Sequence, residues 1–190
     1  MDKFKEQYLD KLKADGIARK VPNISEENAA FLKNLIQSKK PKHILEVGTA
    51  NGYSTLQFTW VIEDDASIVT IEYAWNAHIE SVEHFKNCKI KNIHAIWWDA
   101  KEVIPTLKDE YFDFIFIDAM KREYLAYLKL VLSKCTNNAT IVIDDVEKFR
   151  DKMEDLYRWL DDNQIPYHIE KTDEDDSIMI LARSSLSLHE

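Results

Sequence analysis

Apolar residues along the chain follow two rhythms, and the change between them divides it. Up to about residue 42 the spacing is helical. Phe4, Tyr8, Leu9 and Leu12 recur at intervals that mark one helix face. They predict a helix over 2–14, stopped at Gly16. Pro22-Asn23-Ile24 reads as an extended lead-in. Ser25 before Glu26 and Glu27 is an N-cap with acids in the first turn. It predicts a second helix to about Lys39, burying Ala29, Leu32, Leu35 and Ile36 and broken by Pro41.

From residue 43 strands and helices alternate. Strands are predicted at 43–47, 67–72, 92–97, 111–117 and 139–144, with helices at 53–62, 75–87, 101–108 and 121–134. Phe112 to Ile117 and Ala139 to Ile143 are nearly continuous apolar runs. Such runs suit a parallel sheet covered on both faces. A helix near 147–162 and strands at 165–171 and 177–183 follow, the strands joined by the acidic turn Asp173-Glu174-Asp175-Asp176. The expected fold is therefore α/β and doubly wound. It has a mostly parallel seven-stranded sheet, an antiparallel edge hairpin and helices on both faces. No repeat or Pro/Gly linker splits the 190 residues. A single domain is expected, with N-terminal helices at 1–42, a binding core at 43–145 and a C-terminal helix and hairpin at 146–190.

Composition narrows the class. A 45% hydrophobic and 31% charged chain reads as a soluble globular protein. No apolar run reaches the ~20 residues of a membrane span, so no membrane partner is expected. The charged N-terminus lacks a signal core. Cys88 and Cys135 stand far apart, which suits reduced thiols and a cytoplasmic setting. Of the net charge of −9, residues 1–42 hold ten Lys/Arg against six Asp/Glu, so the remainder is strongly acidic. That argues against broad nucleic-acid binding by charge. The basic N-terminal part leaves room for contact with an anionic substrate.

In such sheets ligands bind at the carboxyl ends of the strands. There the chain carries Glu46-Val47-Gly48, Glu72-Tyr73, Trp98-Asp99-Ala100, Asp118-Ala119-Met120-Lys121 and Asp144-Asp145. Two of the three glycines, Gly48 and Gly52, sit in the turn after the first strand. The dinucleotide fingerprint fails, because Ala50 and Tyr53 stand where it needs glycine. A P-loop fails for want of Gly-Lys-Ser/Thr. Glu72, ending the second strand, can accept both hydroxyls of a ribose. With no phosphate-binding lysine, a nucleoside without phosphates fits best. Asp118, Asp144 and Asp145 converge if their strands are neighbours. Three like charges need a cation or raised pKa values, and hard oxygen ligands select Mg²⁺ or Ca²⁺. Helix capping is the alternative for Asp118. Lys121, three residues after Asp118, reads by itself as an exposed lysine at a helix start. Tyr73 and Met120 line the pocket or merely pack.

These residues resemble the S-adenosylmethionine-dependent methyltransferases of the Rossmann-like class I fold. More narrowly, residues 22–183 resemble the metal-dependent O-methyltransferases, which include catechol and caffeoyl-CoA enzymes and bacterial tRNA 5-hydroxyuridine methyltransferases. Glu46-Val47-Gly48-Thr49-Ala50-Asn51-Gly52-Tyr53-Ser54 is similar to the family's first motif. The resemblance implies that this turn, from Gly48 through Gly52 and Tyr53, approaches the methionine part of the cofactor, with Ser54 near its carboxylate. It implies ribose binding by Glu72, beside Tyr73, and an adenine flank from Asp99 and Ala100. Trp98 replaces a family glycine, so its indole either stacks on the adenine or fills the pocket. Asp118 and Asp144 match metal-binding aspartates, Asp118 also adjoining the cofactor. Asp145 replaces a family asparagine, implying a tighter metal, a preference for Ca²⁺ or Mn²⁺, or an inactive site. Lys121 matches the inferred base, and Tyr124 a family tyrosine. The implied activity is transfer of a methyl group to a Mg²⁺-chelated hydroxyl of a catechol-like aromatic. A hydroxylated tRNA base is the alternative acceptor, and a non-catalytic cofactor-binding relative the alternative role. The chain is short where the family has a longer N-terminal region and an insertion after Asp145, implying a pocket that is open or completed by a second subunit in a homodimer.

Overall fold

The structure, a computed structural model, describes residues 3–172 and 177–186. The expected acidic turn at 173–176 lies outside them. Two helices lead, α1 (Lys3–Arg19) and α2 (Glu26–Lys39). The alternating part runs β1 (His43–Val47), α3 (Tyr53–Thr59), β2 (Ser67–Glu72), α4 (Trp75–Asn87), β3 (Ile93–Trp97), α5 (Ala100–Val103), β4 (Phe112–Ile117), α6 (Tyr124–Val131) and β5 (Cys135–Ile143). It closes with α7 (Glu154–Asp162), β6 (His168–Glu170) and β7 (Ile178–Ala182). The seven strands form one sheet in the order β3-β2-β1-β4-β5-β7-β6. β1 to β5 pair in parallel, and β7 runs antiparallel to both β5 and β6. The expected fold class is observed.

The apolar runs are continuous because both faces are covered. Leu45, Val47, Ile115, Ile117, Ile141 and Ile143 pack with α5, α6 and α7. Their alternates Ile44, Phe114, Phe116 and Val142 pack with α1 to α4. Successive side chains point to opposite faces, so a strand buried twice is apolar at most of its positions.

Several boundaries move, each for a local reason. Gly16 does not stop α1. It is buried inside that helix, where a Cβ would lie 2.3 Å from the Asn23 amide nitrogen. The helix expected at 101–108 is one α-turn followed by a 3-10 turn at Ile104–Thr106 containing Pro105, whose missing N–H cannot continue the ladder. The helix expected from 121 begins as a 3-10 turn, Lys121–Glu123. The helix expected from 147 starts only at Glu154. Asp145 has φ +60°, outside the right-handed helical region, and the chain from there to Met153 runs through turns and a 3-10 turn at Arg150–Lys152. β5 begins early, at Cys135, and slips register against β4 between Phe112 and Phe114 while Asn137 and Asn138 stay exposed.

Candidate functional site

A cavity of about 850 Å³ opens at the carboxyl ends of the parallel strands. Its floor comes from the ends of β1, β2 and β4, and its cover from Lys20 to Ile24, the link between α1 and α2. Arg19 anchors that link by pairing with Glu80 of α4 through both guanidinium nitrogens.

One end of the cavity is built on the β1–α3 turn. Gly48 has φ +102°, and a Cβ there would lie 1.9 Å from the carbonyl oxygen of Asp118. Only glycine lets this turn pass so close to the end of β4. Behind the turn Glu46 is fully buried. Its Oε1 accepts a hydrogen bond from Ser54 at 2.6 Å, and its Oε2 accepts from Thr55 and from Thr70, the latter at 2.6 Å. Strand register puts Thr70 directly beside it. Burial pushes the Glu46 carboxyl up to about 7 against the opposing pull of the three hydroxyls. Ser54 reaches the cavity wall; Glu46, Gly52 and Tyr53 do not. Tyr53 instead packs in the core between the sheet and the first helices.

Glu72 ends β2 at the cavity, where its carboxylate accepts from the backbone N–H groups of Ala50 and Ala74, each at 2.8 Å. Two backbone donors orient it and leave lone pairs for a ligand. Asp99 and Ala100 also line this end, Asp99 capping α5 by accepting from the Lys101 N–H at 2.8 Å. Tyr73 lines the mouth and is largely exposed. Trp98 does not line the cavity. Half exposed, it donates from its indole to Glu102 at 2.6 Å and meets Trp97 edge-on. Trp97, at the end of β3, is 40% exposed and packs on Trp75.

The other end gathers charge. One oxygen each from Asp118, Asp144 and Asp145 lies within 4.8 Å of the others. The sheet order makes this possible by placing β4 beside β5. The Lys121 ammonium is 2.7 Å from Asp118, Asp145 and the Tyr124 hydroxyl. Burial works against its charge, but Asp118, Tyr124 and Asp145 prevail and hold it above the ordinary lysine range. Burial likewise pushes the Asp118 carboxyl upward, with Lys121 opposing. Asp144, buried and off the cavity wall, accepts from the Asn28 amide at 2.8 Å, and Thr172 in turn donates to Asn28. Met120 and Phe149 border this end. Three oxygens so close, all from carboxylates, fit a hard divalent cation, while Lys121 supplies part of the same countercharge.

A family model described as O-methyltransferase matches residues 2–155. The chain belongs to this O-methyltransferase family. Among its relatives, the catechol O-methyltransferase of Mycobacterium tuberculosis is 29% identical over 124 residues, covering 65% of this chain and 56% of that one. An O-methyltransferase of Aspergillus hancockii is 33% identical over 128 residues, covering 64% and 49%. The chain thus spans about half the length of the curated relatives it matches. Among solved structures, an SAH-bound methyltransferase of Podospora anserina superposes with TM-score 0.83 at 22% identity, covering 96% of this chain and 88% of that one. An SAH complex of a Bacillus cereus O-methyltransferase gives 0.77 at 22%, covering 93% and 90%. At that identity the likeness establishes the fold.

Within this O-methyltransferase fold, sequence reasoning missed the residues that hold the expected ones. Asn28 carried a signal: it shares a helical stripe with Leu32 and Ile36, four and eight residues on, so it is a polar group on an apolar face. Thr55 and Thr70 looked like ordinary helix and strand residues. Only the pairing of β1 with β2 and the return of α3 reveal that both serve Glu46. The link over 20–24 read as a lead-in, and nothing in its composition marked it as a cavity wall.

Proposed function

We propose that the chain is an S-adenosylmethionine-dependent O-methyltransferase acting on a chelating hydroxylated aromatic of the catechol type. The observation that carries this is one cavity with Glu72 and Ser54 at one end and Asp118, Asp145 and Lys121 at the other, with the Asp144 carboxylate clustered beside them just behind the wall. The catechol O-methyltransferase relatives and the SAH-bound neighbours support it. The cavity also has the size of a small-molecule site.

S-adenosylmethionine, when bound, supplies an electrophilic sulfonium methyl. Glu72 accepts the ribose hydroxyls with the lone pairs that Ala50 and Ala74 leave free. Ser54 and the backbone near Gly48 meet the amino-acid end, and Asp99 and Ala100 flank the base. Asp118, Asp144 and Asp145 would hold a divalent cation, which supplies Lewis acidity toward an acceptor hydroxyl and countercharge among the carboxylates. Phe149 and Met120 border the acceptor ring. Lys121 Nζ receives the hydroxyl proton, which requires the free amine and so requires that Asp118 and Asp145 be neutralised from elsewhere. The protein's contribution is position and charge.

The test is methyl transfer from labelled S-adenosylmethionine to a catechol, with Mg²⁺ and with chelator. Transfer is expected with Mg²⁺ and lost with chelator, while cofactor binding persists. Undiminished transfer in chelator removes the metal from this reading. Transfer to hydroxylated tRNA but not to catechol changes the acceptor.

A further inference from the structure

The hydrogen-bond arrangement around Glu46 has a consequence for donor recognition, and it rests on the reading that the cavity takes S-adenosylmethionine. Ser54 sits at the cavity wall, yet its hydroxyl proton points inward to Glu46 Oε1 at 2.6 Å. A serine has one proton to give. While it gives that proton to Glu46, it offers the cavity lone pairs alone, and a ligand carboxylate cannot bind lone pairs.

The two oxygens of Glu46 are not equivalent. Oε2 accepts from both Thr55 and Thr70, and Thr70 shares a further 2.5 Å hydrogen bond with Thr49. Oε1 accepts from Ser54. A proton arriving on Oε2 would have to displace one of two donors, of which Thr70 is itself tied to Thr49. A proton on Oε1 needs Ser54 alone to turn round. Ser54 then accepts from the carboxyl O–H and aims its own O–H into the cavity. Ser54 also stands between solvent and Glu46, so the proton has a path.

We propose that Glu46 is the positioning residue for the donor's carboxylate: by taking up or releasing one proton, it sets whether Ser54 faces the cavity as a hydrogen-bond donor. The groups around Glu46 from α3, β2 and the β1–α3 turn are the uncharged Ser54, Thr55, Thr70 and Thr49. The charged group that bears on it is Asp118, at the end of β4, and it opposes ionisation. Burial acts in the same sense and puts the changeover near neutrality. The neutral carboxyl, present at lower pH, is the binding-competent form. Donor binding then takes up a proton near neutral pH, because a ligand that prefers one protonation state shifts the equilibrium toward it.

The experiment is calorimetry with S-adenosylhomocysteine between about pH 6 and about pH 8, in buffers of different ionisation enthalpy, beside 5′-methylthioadenosine. The second ligand keeps the nucleoside and lacks the carboxylate. For the wild-type chain, affinity for S-adenosylhomocysteine should fall about tenfold across that range, the scale of one charge-assisted hydrogen bond. Proton uptake should accompany binding near neutrality. Methylthioadenosine should show neither effect. Glu46→Gln keeps a neutral side chain at every pH, so its affinity for S-adenosylhomocysteine should stay flat and proton uptake should vanish. An unchanged pH dependence in Glu46→Gln, or a flat wild-type profile, overturns the proposal. If Glu46→Gln does not fold, the two ligands on the wild-type chain decide it alone. Absence of S-adenosylhomocysteine binding at every pH sinks the donor reading itself.

Discussion

Glu46 and Asp118 belong to neighbouring strand ends, β1 and β4, and both carboxyl groups are pushed upward by burial, but they are answered by different chemistry. Glu46 is met by three neutral hydroxyls. Asp118 is met by the Lys121 ammonium, with Asp145 on the same ammonium and Asp144 close by. Hydroxyls satisfy lone pairs without cancelling a charge, so the first end holds geometry and changes charge only through the proton on Glu46 itself. An ammonium cancels charge but leaves three carboxylates with one lysine, so the second end stays open to a further cation or proton. The first arrangement suits binding, the second suits chemistry at a hydroxyl. Substitutions at the two ends should therefore separate affinity from turnover.

The largest effect is expected at the charged end. Lys121→Met should lower kcat by on the order of 10²–10⁴, the usual contribution of a general base, with affinity for S-adenosylhomocysteine changed less than about threefold. A comparable loss of affinity would merge the two ends into one. The next effect is on stability at the hydroxyl-lined end. The folded-state pKa of Glu46 is raised above its ordinary value, so its contribution is fully present below about pH 4.5 and is lost as pH rises through about 7. Linkage puts the loss at roughly 3 kcal/mol. Denaturant unfolding of Glu46→Gln over that window should lack this component; identical slopes would mean that Glu46 titrates normally. Glu72→Ala is expected to weaken donor affinity by about ten- to a hundredfold through lost charge-assisted hydrogen bonds, with kcat at saturating donor within about threefold. The smallest effect is expected at Trp98. Its indole lies outside the cavity wall, so Trp98→Ala should leave donor affinity within about twofold. A tenfold loss by calorimetry would return the indole to the adenine.

The strand ends show how far the sequence reached. Gly48 was legible because its positive φ and close approach leave no alternative residue, and Glu72 because its position follows from strand length. The aspartate cluster followed from the assumption that β4 and β5 are neighbours, which the sheet order supports. Trp98 was less legible: periodicity places a strand end but does not say whether a side chain beyond it turns in or out. Here the nearby Glu102 carboxylate, one helical turn on, holds the indole outward. The late start of α7 was hidden for a similar reason, since helix propensity runs through 147–153 while the backbone at Asp145 does not.

By itself the sequence determined the layered α/β architecture, the glycine turn and which acids stand at the ends of strands. These depend on local spacing and on backbone sterics. The tertiary structure alone decided that the Lys121 ammonium lies between Asp118 and Asp145, that Asn28 reaches Asp144, and that Ser54, Thr55 and Thr70 close round Glu46. Those contacts join residues from separate strands and helices, and only the packed sheet brings them within hydrogen-bond distance.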